Sequence, residues 1–223
     1  MLAACQGKVE VPRAPDDFIR TLFDGFAAGF DDNLASLGYR VPGLLAERLV
    51  PLGASVNGAL DVLDAGCGTG LCAHFLRPLA SALTGVDLSP GMLQIARGRK
   101  AYDALIEEEL SRYLEDQRDT FDLILSADTL IYFGDLSAVL KSAAMTLKSG
   151  GLLLFSLERL VDVADTEIML NGAGRYQHEE GYVRRVLQDA GLELRACDHE
   201  ALRKESGESV PGLIVEARKP ATA

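Results

Sequence analysis

The chain has 223 residues, 48% of them hydrophobic, with 33 acidic side chains against 22 basic ones and a formal net charge of −11. That length fits one domain with an N-terminal extension and is enough to bury a substantial core, while no apolar run approaches the roughly 18 residues needed to span a bilayer. The acidic balance argues against a nucleic-acid substrate, because phosphate neutralisation by a basic face supplies most of that affinity.

Cys5, Cys67, Cys72 and Cys197 form no C-x-x-C pair, so neither a thiolate metal site nor a disulfide framework is implied, and a reducing cytoplasm is the simplest compartment. Met1–Cys5 is too short, and lacks the basic start, for a secretory signal. Residues 1–15 hold two prolines and no periodicity, and read as a tail or linker. From Asp16 to Asp32 the pattern changes. Phe18, Leu22, Phe23, Phe26 and Phe30 recur at three- and four-residue spacing behind Asp16 and Asp17, which predicts an amphipathic helix. Leu37-Gly-Tyr-Arg-Val-Pro42 reads as a turn into a second helix over about 43–52, so 16–58 is expected to form a helical cap.

Leu60–Leu71 reads L-D-V-L-D-A-G-C-G-T-G-L. Leu60–Leu63 suits a buried parallel strand. It runs into Asp64 and then Gly66, Gly68 and Gly70, before a helix expected over 71–79. Glycines between a strand and a helix N-terminus allow a ligand to approach bare backbone. A dinucleotide fingerprint would place its third glycine at position 71, which is Leu71. The next strand, Ala82–Val86, ends in Asp87, where nucleotide-binding folds put the carboxylate that holds ribose hydroxyls.

Asp64-Ala-Gly-Cys-Gly-Thr-Gly70, followed by Gly85-Val-Asp-Leu-Ser-Pro-Gly-Met92, resembles the first two motifs of class I S-adenosylmethionine-dependent methyltransferases. The resemblance implies an α/β fold over 59–219, with a tail at 220–223: a Rossmann-like, seven-stranded, mostly parallel sheet with helices on both faces and one antiparallel strand. It implies S-adenosylmethionine as methyl donor and S-adenosylhomocysteine as product. Asp64, Gly66, Cys67, Gly68, Asp87, Leu88 and Met92 are then the donor-binding residues of the two motifs. Near the end of the third strand, Glu109 and Leu110 are expected to meet the adenine, with Glu108 the alternative by one residue. The fourth strand turns from apolar to polar at Ser126–Thr129, so Ala127 is placed beside the transferable methyl and Asp128 near the acceptor. N-terminal helices in this fold often lie over the cleft, which gives the 16–32 aromatics either a core or a cleft-walling role.

Further segments narrow the likeness. Leu22-Phe-Asp-Gly-Phe-Ala-Ala-Gly-Phe-Asp31, Leu37-Gly-Tyr-Arg40, Tyr102-Asp-Ala-Leu105, Gly174-Arg-Tyr-Gln-His178 and Leu202-Arg-Lys-Glu205 resemble bacterial methyltransferases that carry tetratricopeptide repeats. No repeat array is in this sequence, and a protein partner would come through such a region; the chain reads as a stand-alone relative or as part of a longer one.

Methyl transfer from a sulfonium requires alignment and exclusion of water more than it requires a base. Of three histidines, His178, beside Arg175 and Tyr176 at the end of the long 158–174 connection, is the candidate base; capping the following helix is the competing role. His74 reads as structural. No N/D-P-P-Y/F stretch follows the fourth strand and no cysteine lies between Cys72 and Cys197, which removes two nucleic-acid-methylating chemistries. The expected acceptor is a small molecule, with a protein side chain less fitting. A binding or assembly module that keeps the fold without turnover is the alternative, and an NAD-dependent enzyme is third.

Overall fold

The computed structural model describes residues 13–56 and 58–221, the side chains of 52–56 excepted. Most of the expected tail at 1–15, and residues 222–223 of the expected tail at 220–223, lie outside the described residues. The end of the first segment does not behave as a tail: Arg13 bridges Phe133, the Ala14 amide donates to the Tyr132 carbonyl at 2.9 Å, and Ala14 is buried.

The expected helix over Asp16–Asp32 is two helices, α1 (Asp16–Phe26) and α2 (Phe30–Ser36), joined by a 3-10 turn at Ala27–Gly29. The break falls at Gly29, whose φ of −116° and ψ of 12° leave the helical region, a departure that glycine makes at little cost. Helix α3 spans Val41–Val56. Strand β1 (Leu60–Ala65), helix α4 (Ala73–Leu76), strand β2 (Ala80–Asp87), helix α5 (Pro90–Gly98) and strand β3 (Ala104–Glu107) follow. Then come α6 (Leu110–Glu115), β4 (Phe121–Ser126), α7 (Ser137–Thr146) and β5 (Leu147–Arg159). The five strands are parallel in the order β3-β2-β1-β4-β5.

After β5 come β6 (Ile168–Leu170), β7 (Tyr176–His178), helix α8 (Glu180–Asp189), β8 (Glu193–Glu205) and β9 (Glu208–Arg218). Strand β9 runs antiparallel beside β5 and pairs with β8 at the edge. These seven longer strands are the expected sheet. The two extra ones come from the 158–174 connection and its end, where strands three residues long leave no periodicity to read. Strand β7 pairs with β5 at Glu158 and Arg159, on the edge that β4 vacates beyond Ser126. The β6–β7 pair therefore stands over the carboxyl end of β4.

Alternation divides the sheet between two cores. Leu63, Ile124, Phe155 and Val215 face α6, α7 and α8. Val62, Leu123, Leu125, Leu154 and Ile214 face α3 and α4. Strands buried on both faces in this way read as continuous apolar runs. The carboxyl ends of β1, β2 and β4 are left open between the two layers.

Candidate active site

The chain leaves β1 through three glycines in left-handed conformation, with φ of +76° at Gly66, +54° at Gly68 and +84° at Gly70. The amides of Gly66 and Cys67 both donate to the Val86 carbonyl, at 2.8 and 2.9 Å. A Cβ at Gly66 would lie 2.0 Å from the Thr129 hydroxyl, so the close approach of the loop to the end of β4 requires glycine. The Gly68 amide donates to Asp87 Oδ2 at 2.8 Å, and the Ser89 amide to Asp87 Oδ1 at 2.9 Å. Ser89 caps α5 by accepting from the Met92 amide at 3.1 Å. One carboxylate thereby fixes the glycine loop against the start of α5 and keeps lone pairs for a ligand.

Asp64 lies under the loop, 1% exposed, and accepts a 2.6 Å hydrogen bond from the Tyr102 hydroxyl. Desolvation pushes its carboxyl up to about 7 against the opposing Tyr102 bond. Burial likewise raises Asp87. Both line a cleft of about 450 Å³, within the range of small-molecule sites.

Gly66, Cys67, Gly68, Leu88, Met92, Leu110 and Ala127 line the same cleft, so every expected donor-binding residue meets there. Glu109 is not at the end of β3 but is the cap of α6. Its oxygens accept from the Ser111 and Arg112 amides at 3.0 and 3.1 Å, and it pairs with Arg13 at 2.7 Å. Glu108 also lines the cleft, and its side chain makes no hydrogen bond or ion pair among the described residues.

His178 is not brought to the cleft. Its imidazole is fully buried, its Nε2 donates to the Gly134 carbonyl at 2.9 Å, and it stacks on Tyr182. Nδ1 has no partner among the described residues. Desolvation pushes the imidazole down to about 4, so it is neutral and enclosed, and a base role has no geometry to support it. The 176–178 strand alternates: Tyr176 and His178 point inward. What the connection delivers to the cleft instead is Arg175.

Asp128 does reach the cleft. It is left-handed, φ +52°, fixed by its amide donating to Ser156 Oγ at 2.8 Å and by that hydroxyl donating back to Oδ1 at 2.6 Å. Arg203 Nη1 donates to Oδ2 at 2.9 Å. The sequence offered no functional signal for Tyr102, Arg175 or Arg203, beyond their falling in the segments quoted for the finer resemblance; Thr129 lay in the polar Ser126–Thr129 stretch expected at the cleft.

The polar lining holds six carboxylates, those of Asp64, Asp87, Glu108, Glu109, Asp128 and Glu205, against three guanidiniums. Arg13 is tied to Asp16 and Glu109, and Arg175 and Arg203 lie at the far end, tied to carboxylates of their own. Such a surface suits hydroxyls, amines and a cation, and repels a pyrophosphate. Helices α1 and α2 close the top: Ile19, Leu22, Phe23, Phe26 and Phe30 line the cleft, and neither helix has a buried residue. Among the described residues no cluster of three or more potential ligands could hold a metal ion, and no helix is long and apolar enough to cross a membrane.

A family model described as a methyltransferase domain matches residues 63–155. The chain is 35% identical over 131 residues to a malonyl-[acyl-carrier protein] O-methyltransferase of Serratia marcescens, across 58% of this chain and 49% of that protein. It is 34% identical over 173 residues to a ubiquinone biosynthesis O-methyltransferase of Idiomarina loihiensis, across 71% of this chain and 66% of that one. It therefore spans about half to two thirds of the length of these relatives. The crystal structure of magnesium protoporphyrin IX methyltransferase from Synechocystis, with S-adenosylmethionine bound, superposes with a TM-score of 0.67 over 92% of this chain and 96% of that one, at 19% identity. That last likeness is one of fold.

Proposed function

The chain belongs to the class I S-adenosylmethionine-dependent methyltransferases, and on that premise we propose that it transfers a methyl group from S-adenosylmethionine to a small-molecule acceptor bound at the carboxyl end of β4. The observation that carries this reading is the Asp87 carboxylate, which locks the glycine loop through Gly68 and faces the cleft. S-adenosylmethionine, when bound, supplies an electrophilic methyl on a sulfonium. Asp87 would hold its ribose hydroxyls and Asp64 its ammonium. Gly66, Cys67 and Gly68 would present backbone to its amino-acid end. Leu88, Met92 and Leu110 would enclose the adenine, with Glu108 or Glu109 accepting from its amino group. Ala127 would stand beside the methyl. The cluster of carboxylates matches these amines and hydroxyls and the positive sulfonium, and it would repel the phosphates of NAD.

The rest of the work is alignment and exclusion of water. The aromatic face of α1 and α2 covers the cleft, and the β6–β7 pair with Arg175 closes its far side. Asp128 is the one cleft-lining carboxylate at the end of β4, where the acceptor would sit. The likeness of segments such as Gly174–His178 and Leu202–Glu205 to repeat-bearing methyltransferases supports a place near that group, with a protein partner held through repeats, and a cytoplasmic location fits the cysteine content.

Titration calorimetry with S-adenosylmethionine, S-adenosylhomocysteine and NAD tests the donor. Micromolar binding of the two sulfur ligands alone is expected; binding of NAD in preference would overturn the reading. Release of S-adenosylhomocysteine with methylated product separates the enzyme from a module that binds without turnover.

A further inference from the structure

The cleft ends in a buried charged cluster that the donor site does not use. Arg203 donates through Nη1 to Asp128 at 2.9 Å and through Nε to Glu205 at 2.7 Å, and its Nη2 pairs with Glu158. Arg175 donates through Nε to Glu158 at 2.5 Å and through Nη2 to both oxygens of Glu205 at 2.6 Å. The side chains of Glu158 and Arg203 are only 1% and 5% exposed. Three carboxylates face two guanidiniums, so the cluster is short of one positive charge. The loop before α3 is stitched around it. The Arg40 amide donates to the Leu202 carbonyl and the Lys204 amide to the Leu37 carbonyl, both at 2.8 Å. These bonds bracket Arg203 and bring Tyr39 into the cleft wall. Tyr132 and Phe23, in edge-to-face contact with centroids 5.5 Å apart, complete an aromatic lining.

We propose that this end of the cleft is the acceptor site, and that it takes an apolar, aromatic molecule bearing a neutral hydroxyl, with Asp128 receiving the hydroxyl proton. The proposal rests on the methyltransferase reading above. An acceptor already anionic at neutral pH, such as a carboxylate, would meet an uncompensated negative charge in a poorly solvated site. An aliphatic amine would be held there as the ammonium, with its lone pair blocked. A neutral hydroxyl meets neither obstacle. In the transfer its O–H bond breaks with the proton going to Asp128, its oxygen bonds to the methyl, and the pair of the broken methyl–sulfur bond stays on the donor's sulfur. The carboxylate and the sulfonium are neutralised together. Burial raises the Asp128 carboxyl, which suits it to take a proton. Burial and the Asp128 charge raise the Tyr39 hydroxyl well above its ordinary value, which keeps that group a neutral donor. Arg203, which touches Asp128 and two further carboxylates, is a positioning residue.

The test compares 2-naphthol and 2-naphthoate binding to the full chain saturated with S-adenosylhomocysteine at pH 7.5. We expect 2-naphthol to bind at least about tenfold more tightly than 2-naphthoate. Glu205→Gln, which removes the excess charge without touching Asp128, should bring the two to within about threefold. Asp128→Asn should weaken 2-naphthol while leaving S-adenosylhomocysteine affinity in place, which also reports that the variant is folded. Equal or tighter binding of 2-naphthoate, or no 2-naphthol binding by a protein that holds S-adenosylhomocysteine, would each overturn the proposal and spare the donor site. Failure to bind S-adenosylhomocysteine would overturn the methyltransferase reading and this with it.

Discussion

The Asp87 carboxylate and the Gly68 amide meet at 2.8 Å, and the second carboxylate oxygen accepts the Ser89 amide at 2.9 Å. The same group that would hold the ribose therefore also shapes the loop that would receive the amino-acid end. Asp87→Ala removes both functions, and should weaken S-adenosylmethionine by at least about tenfold while the chain stays folded, since hydrogen bonds to a charged group contribute roughly 1.5–3 kcal/mol. Asp87→Asn can still accept from one of the two amides and should fall between. Calorimetric affinity unchanged in the alanine variant would remove Asp87 from the site.

Asp64 makes a second, opposite demand. Its carboxyl is pushed up to about 7 by desolvation, so without ligand it carries a cost above neutrality. The sign follows from the raised folded value: its contribution to stability is complete below the unfolded pKa near 4 and is lost as pH rises through 7. Asp64→Asn keeps an acceptor for Tyr102 and should stabilise the ligand-free chain at pH 8 by roughly 1–3 kcal/mol, read as a higher melting temperature. It should also flatten the several-fold gain in S-adenosylmethionine affinity expected between pH 6 and 7.5, as the carboxyl ionises to meet the ammonium. A variant less stable at pH 8, with the pH dependence of affinity intact, would contradict this.

The glycine-loop end of the cleft was legible because it is local. Strand, glycines and Asp87 lie within 28 residues of Leu60, and their spacing expresses a turn and a close approach. The far end was legible only at Asp128, and its charged cluster was not. Arg203 and Asp128 are 75 residues apart, and Arg203 and Glu158 are 45 apart; nothing in the spacing of such residues says that a sheet will bring them together. The two-residue alternation of β7 is shorter than any period that can be recognised, which is why His178 passed for a cleft residue when Arg175 holds that place.

The buried His178 leads to a distinct prediction. Its imidazole falls to about 4 when folded, below the ordinary value near 6.5. Its contribution to stability is therefore complete above pH 6.5. It is lost as pH falls toward 4, at about 1.4 kcal/mol per unit, because only the unfolded chain takes up the proton there. His178→Gln should flatten that acid-side loss of stability. It should leave S-adenosylmethionine affinity and the pH dependence of turnover unmoved. A rate profile that loses its acid limb in this variant would restore His178 as a base.

Two carboxylates tie helices α1 and α2 to the elements below them. Asp24 Oδ1 accepts from the Ser89 hydroxyl at 2.5 Å and the Gly91 amide at 3.0 Å. Asp31 accepts from the Thr69 hydroxyl at 2.6 Å and from Arg99 at 2.5 Å. Each holds an element that lines the cleft: the start of α5 in one case, the glycine loop in the other. The apolar face between them, Phe23, Phe26 and Phe30, lines the cleft, so a bound ligand would complete the packing these helices lack. Segments with few buried apolar contacts open at low cost. S-adenosylhomocysteine should therefore slow amide exchange across residues 16–36 more than across β1 or β4. The double variant Asp24→Ala, Asp31→Ala should lose most of that protection and release the ligand about tenfold faster, with a smaller change in the association rate. Protection of 16–36 that is indifferent to ligand would mean that the two helices are a fixed part of the core and not a cover over the site.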